Sequence, residues 1–165
     1  MINEMEDAAM AELGNADKCF FCERELDFSW ERIFFNPNWV PGEPKTEDWT
    51  KVKSCCMGCE GKVKKYMEER ETKQAVNKDG KLLFVVEDGE SHWYLGDSQE
   101  QVIEHHKSFD DIEVEDCTPV TVLEALKLTV NLDEYNKDKV VMFEFINEGG
   151  WYYDNGVALV SSTAY

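Results

Sequence analysis

The sequence predicts an α+β fold in two parts. Residues 1–80 read as an amino-terminal helix plus a small metal module, and residues 81–165 as an acidic unit built on an antiparallel sheet with one or two packed helices. Three observations carry this. Cys19-Phe20-Phe21-Cys22 is answered by Cys56-Met57-Gly58-Cys59, two Cys-x-x-Cys pairs either side of a loop-rich stretch. A lysine- and glutamate-rich segment with helical apolar spacing follows the second pair at once. Beyond it come short β-rich runs separated by turn signals, Asp154-Asn155-Gly156 the strongest of them.

In chain order, Met5, Ala8, Ala9, Met10 and Leu13 recur at helical spacing before Gly14, which predicts a short amphipathic helix over residues 3–13. Glu23 to Phe28 can leave the first Cys pair as a strand, and Ile33-Phe34-Phe35 is a second β candidate that Asn36-Pro37-Asn38 ends. Pro41-Gly42-Glu43-Pro44 marks the rest of the interval as mostly loop, and a loop that long needs an anchor. After Cys59, Val63, Tyr66, Met67 and Arg70 fall on one helical face, with Lys62, Lys64, Lys65, Glu68, Glu69 and Glu71 on the other. Asn77-Lys78-Asp79-Gly80 reads as a turn or linker closing the module.

In the second part, Leu82 to Val86 and His92 to Leu95 flank Glu87-Asp88-Gly89-Glu90 as a hairpin. Ser98-Gln99-Glu100-Gln101 has the form of a capping box, with Val102, Ile103, His106 and Phe109 on one helical face behind it. Ile112 to Glu115 alternates like a strand, and Thr118-Pro119 can start a helix. Val120 to Leu128 carries both strand and helix signals; helix is the preferred reading. Val140 to Ile146 reads as a strand, with Val141, Phe143 and Phe145 on one face. Trp151 to Tyr153 and Val157 to Val160 then form a hairpin about Asn155-Gly156.

The chain of 165 residues carries a formal charge of −18. Residues 1–80 hold 12 Lys+Arg against 17 Asp+Glu, and residues 81–165 hold 5 against 18, so the acid surplus sits in the second part. Such a field repels a nucleic acid backbone and attracts cationic surfaces, so the expected partner is a basic protein, itself a nucleic-acid binder, and direct nucleic acid binding is not expected. No apolar run reaches bilayer length and the first residues are acidic where a signal peptide is basic, so no membrane association and a cytoplasmic location are expected.

In a reducing compartment paired Cys-x-x-Cys units hold a metal more often than a disulfide. Four thiolates close a tetrahedral sphere and leave no position for a substrate, so the expected ion is structural Zn2+ on Cys19, Cys22, Cys56 and Cys59. Cys55 competes with Cys56 for that place, but Cys56-x-x-Cys59 keeps the knuckle spacing. Cys117, beside Glu115 and Asp116, reads as a buried thiol, because neighbouring carboxylates disfavour a thiolate.

A knuckle, a hairpin with a loop, and a second Cys pair opening a helix describe a treble clef. Lys18 to Leu26 together with that helix resembles the zinc scaffold of phage recombination endonuclease VII and the wider HNH nucleases, over about residues 18–70. The resemblance implies a phage or mobile-element origin. It also implies a histidine-rich catalytic segment between the Cys pairs, and here no histidine lies between Cys19 and Cys59. The stretch reads Phe34-Phe35-Asn36-Pro37-Asn38-Trp39, and asparagine takes no proton at neutral pH. Glu60 stands where that family often has asparagine.

No catalytic residue is therefore assigned. His92 falls in an expected strand, and His105 and His106 are neighbours on a helix that cannot form an i, i+4 metal pair; all three read as ordinary surface or half-buried residues. Lys45, Lys51, Lys53, Lys62, Lys64 and Lys65 read as offsetting the negative charge of a tetrathiolate ion. The surplus of Trp93, Tyr94, Trp151, Tyr152 and Tyr153 among carboxylates suits gripping arginine-rich surfaces. The expected function is that of a non-enzymatic inhibitor imitating nucleic acid charge. The alternatives are a divergent metal-dependent nuclease using Asn36, Asn38 and Glu60, and a structural subunit of a larger assembly.

Overall fold

A computed structural model of the chain describes residues 18–26, 32–43, 51–109, 113–132 and 139–163. The helix expected over residues 3–13, Lys45 and Ile112 lie outside them. The chain divides into two compact units, Met1–Glu69 and Arg70–Tyr165. Both mix short helices with antiparallel strands.

In the first unit, β1 (Arg32–Phe35) pairs antiparallel with β2 (Lys53–Cys56), Arg32 opposite Cys56 and Phe35 opposite Lys53. Lys-Ser-Cys-Cys carries no β-branched or large apolar residue, so β2 is held by its register against β1 and not by its own propensity. A 3₁₀ turn over Met57–Cys59 leads into α1 (Glu60–Glu69), whose Lys62, Lys64, Lys65, Glu68 and Glu69 are exposed as the spacing predicts. Of the strand expected over Glu23 to Phe28, the described residues show a bridge between Lys18 and Glu25, and Asp27 and Phe28 lie outside them. Among the described residues its core cluster is Cys19, Leu26, Cys55, Cys56 and Cys59, with Phe21, Ile33, Phe35 and Val63 packed against it, and Val40 is buried as well. Sulfur supplies most of it, and α1 contributes no fully buried residue. A cluster built so largely on sulfur is one that a bound ion would staple.

The second unit takes up residues 70–80, which the sequence places at the end of the first module. Ala75 N–H donates to Val120 O at 2.8 Å, and Leu83 N–H donates to Ala75 O at 2.9 Å. Asn77, buried, closes the turn by accepting from Asp79 and Lys81 N–H and donating to the Tyr153 hydroxyl at 2.9 Å. The main elements are β3 (Leu82–Glu87), β4 (Ser91–Gly96), α2 (Gln99–Lys107), β5 (Asp116–Pro119), α3 (Val122–Lys127), β6 (Thr129–Asn131), β7 (Lys139–Val141), α4 (Met142–Glu148) and β8 (Ala158–Ser162). Four strands form one antiparallel sheet in the order β5-β3-β4-β8, and β6 and β7 form a separate pair.

Strand alternation sorts the sheet residues. Leu83 and Leu95, paired across β3 and β4, are fully buried on one face. Phe84, Val86 and Tyr94 lie on the other and pack with Val102 of α2, Cys117 and Val157. Both faces thus hold buried residues, although Val85 and Trp93, further along the first, are only half-buried. α2 approaches closely because β4 ends in Gly96, where a Cβ would meet Val102 Cγ2 at 2.7 Å. Pro119 is tolerated in β5 because β5 is an edge strand.

Several expectations need correction. Val140 to Ile146 is not one strand: β7 stops at Val141 and α4 begins. Met142 and Ile146, four apart, are both buried, so burial at helical spacing overrides the alternation of Val141, Phe143 and Phe145. The residues from Glu113 to Glu115 form no strand, and the helix after them is capped by Thr121, not Thr118, in a full capping box with Glu124. At α2, Ser98 accepts from Gln101 N–H, but the Gln101 side chain reaches Asp97 N–H at 2.8 Å. Phe109 lies beyond α2 and is 65% exposed. Asn155 (φ 49°) and Gly156 (φ 81°) make the expected two-residue turn, closed by Asp154 and Val157. Its arms do not extend into a hairpin, because β8 pairs with β4 instead.

Candidate metal centre

The first Cys pair sits in a tight turn. Cys19 N–H donates to Arg24 O at 2.8 Å and Glu23 N–H donates to Cys19 O at 2.9 Å, with Glu23 at a φ of 58°. Phe20 N–H donates to Ser54 O at 2.9 Å, which ties the turn to β2. Cys56 ends β2, and the 3₁₀ turn brings Cys59 round beside it at the start of α1.

The sulfurs of Cys19, Cys22, Cys56 and Cys59 all lie within 4.8 Å of one another. Cys22 Sγ and Cys56 Sγ are 3.8 Å apart. Four sulfurs around a zinc ion at about 2.3 Å form a tetrahedron with edges of about 3.8 Å, so the spacing fits such an ion. Cys56 N–H points at Cys19 Sγ from 3.4 Å, as it does toward a thiolate in a metal knuckle. None of the six cysteines is in a disulfide. Burial disfavours the Cys19 thiolate, yet the N–H groups of Cys56, Cys22 and Phe21 outweigh it and hold its pKa below the ordinary thiol range. Cys59 goes the other way, raised first by burial and then by the neighbouring cysteines. Thiols packed this tightly ionise together only with a cation among them.

Around the sulfurs Phe21 and Phe35 stack at 5.7 Å, and Phe20 and Tyr66 meet them edge-on. Cys55, one residue from Cys56, is buried in the same cluster and donates its S–H to Cys56 O at 3.2 Å. Its pKa is pushed up to about 11, by burial first and then by nearby cysteines, so it stays a thiol. Cys117 is buried and likewise raised to about 11, by burial and then by the charges of Asp116 and Glu100. Asn36 Oδ1 accepts Asn38 N–H at 2.9 Å, and Glu60 is exposed at the start of α1. Lys64 and Lys65 pair with Glu68 and Glu69 on the surface of α1 at 3.7 Å.

A second constellation lies under α2 in the other unit. Asp88 accepts from His92 Nε2 at 3.0 Å and from His106 Nε2 at 2.8 Å. The far nitrogens are held too, His92 Nδ1 by Ser162 Oγ and His106 Nδ1 by the Tyr94 hydroxyl, each at 2.8 Å. Burial by itself would raise the Asp88 carboxyl, but His106 and His92 outweigh it and keep it below the usual carboxylate range. The expectation of ordinary surface or half-buried histidines fails here: His105 and His106 are both buried, and His106 finds its partner across the sheet and not along its own helix. The available signal was the β3–β4 alternation, which puts Asp88, His92 and Tyr94 on one face.

Finally, β3, β4, β5 and α3 border an open cleft of about 360 Å3, lined by Val85, Trp93 and Pro119 together with Glu87, Glu124 and Lys127. No protein family, no curated protein and no solved structure matches the chain. No helix among the described residues is long and apolar enough to cross a membrane.

Proposed function

We propose that the chain is a non-enzymatic binding protein. A first unit of treble-clef form, stapled by Zn2+ on Cys19, Cys22, Cys56 and Cys59, accompanies an acidic unit that occupies a basic, nucleic-acid-binding surface of a partner protein and so inhibits it. The order of knuckle, hairpin, Cys pair and helix supports the treble clef.

The observation that carries the binding reading is the cleft beside Trp93. An aromatic ring with the carboxylates of Glu87 and Glu124, against the single ammonium of Lys127, suits an arginine or lysine side chain by cation–π and ionic contact. On the neighbouring turn and edge strand Glu90, Glu113, Glu115 and Asp116 are exposed and extend the negative field. The nuclease reading has less support, because the Asn36 side-chain oxygen is already engaged and no histidine stands nearby in sequence.

The test begins with affinity capture of a partner and its purification. Trp93→Ala is expected to weaken that complex at least about tenfold, as loss of a central aromatic anchor does, with Glu87→Gln weakening it less. Duplex DNA is expected to compete for the same partner. Full affinity in Trp93→Ala, with its fold verified by circular dichroism, would contradict the reading.

A further inference from the structure

The binding reading leaves the buried trio under α2 without a role. The three side chains arrive there from separate places. Asp88 comes from the β3–β4 turn, His92 from β4 opposite Val86, and His106 from α2, four residues after Val102 on the face that packs on the sheet. Their side chains are only 6%, 13% and 7% exposed. One carboxylate oxygen and one nitrogen from each imidazole lie within 4.8 Å of one another.

We propose that Asp88, His92 and His106 bind a second divalent ion of the zinc class, held in the Arg70–Tyr165 unit independently of the four cysteines. Imidazole and carboxylate are donors that suit zinc and its neighbours, and three protein ligands leave one further position of a tetrahedral ion to water. Donor–donor edges around such an ion are about 3.3 Å, so contacts of 2.8 and 3.0 Å need to open by only a few tenths of an ångström. The rings, tilted 51° with centroids 4.9 Å apart, are not stacked. Both Nε2 atoms meet the same carboxylate.

The outer contacts are those a metal-bound histidine requires. A ligating imidazole has its other nitrogen oriented by a hydrogen bond, and here Tyr94 and Ser162 supply it. Without the ion, each Nε2 faces the Asp88 carboxylate and each Nδ1 a hydroxyl. With it, each Nε2 lone pair goes to the ion, and each ring proton resides on Nδ1 and is donated to the hydroxyl oxygen.

The test is a Co2+ titration of the full chain, with metal content by mass spectrometry. Two ions per chain are expected, one giving thiolate charge-transfer absorption and the other d–d bands without it. His92→Gln, at the more exposed ligand, is expected to keep the thiolate signal and lose the other. Tyr94→Phe is expected to weaken the second ion about ten- to a hundredfold. Saturation at one ion with only the thiolate signature would overturn the proposal, as would full retention of the second ion in His92→Gln. Because the wild-type stoichiometry and spectrum decide the matter by themselves, a variant that misfolds does not.

Discussion

Chelation is expected to unfold the Met1–Glu69 unit and to leave Arg70–Tyr165 folded. A structural zinc ion contributes roughly 10–16 kcal/mol of apparent binding free energy in small modules, as much as the whole stability of an ordinary domain. Among the described residues of the first unit the core is largely the cysteines themselves, and α1 buries no side chain completely, so the ion is expected to carry much of its stability. The second unit has its own sheet, with buried residues on both faces, and the Asp88 carboxylate there is met by His92 and His106 with no ion required. Limited trypsin digestion reads the difference. With chelator, cleavage is expected at Lys62, Lys64 and Lys65 as α1 melts, and zinc is expected to restore protection. Continued protection of α1 under chelation would contradict the staple.

Leu95→Ala is expected to cost about 2–5 kcal/mol, read from the midpoint of urea unfolding. Leu95 is fully buried opposite Leu83, on the sheet face away from α2. Truncating it leaves a cavity in the middle of the four-stranded sheet, which packing closes only in part. Leu159→Ala, on β8 with 47% of its surface exposed, is expected to lose about 1 kcal/mol or less and serves as the control. Equal losses in the two variants would mean that Leu95 is not buried in the sheet as described.

What the sequence discloses follows how local each determinant is. The Cys pairs, the helix behind Cys59, the β3–β4 hairpin and the Asn155-Gly156 turn depend on residues a few positions apart, and they stand where the pattern puts them. The Lys-Ser-Cys-Cys strand is fixed by pairing with Arg32–Phe35, twenty residues upstream, and its own composition carries no β signal. Residues 140–146 alternate like a strand, but burial of Met142 and Ile146 makes most of them helix. The cysteine cluster was legible because two short spacings encode it. The Asp88–His92–His106 trio was not, because it needs the strand register and the seating of α2 together.

The central claim is that the acidic unit binds a basic surface, and ionic strength tests it most directly. The dissociation constant of the captured complex, measured from low salt to well above physiological, is expected to rise steeply as screening shortens the reach of the exposed carboxylates. An affinity unchanged across that range would contradict the claim.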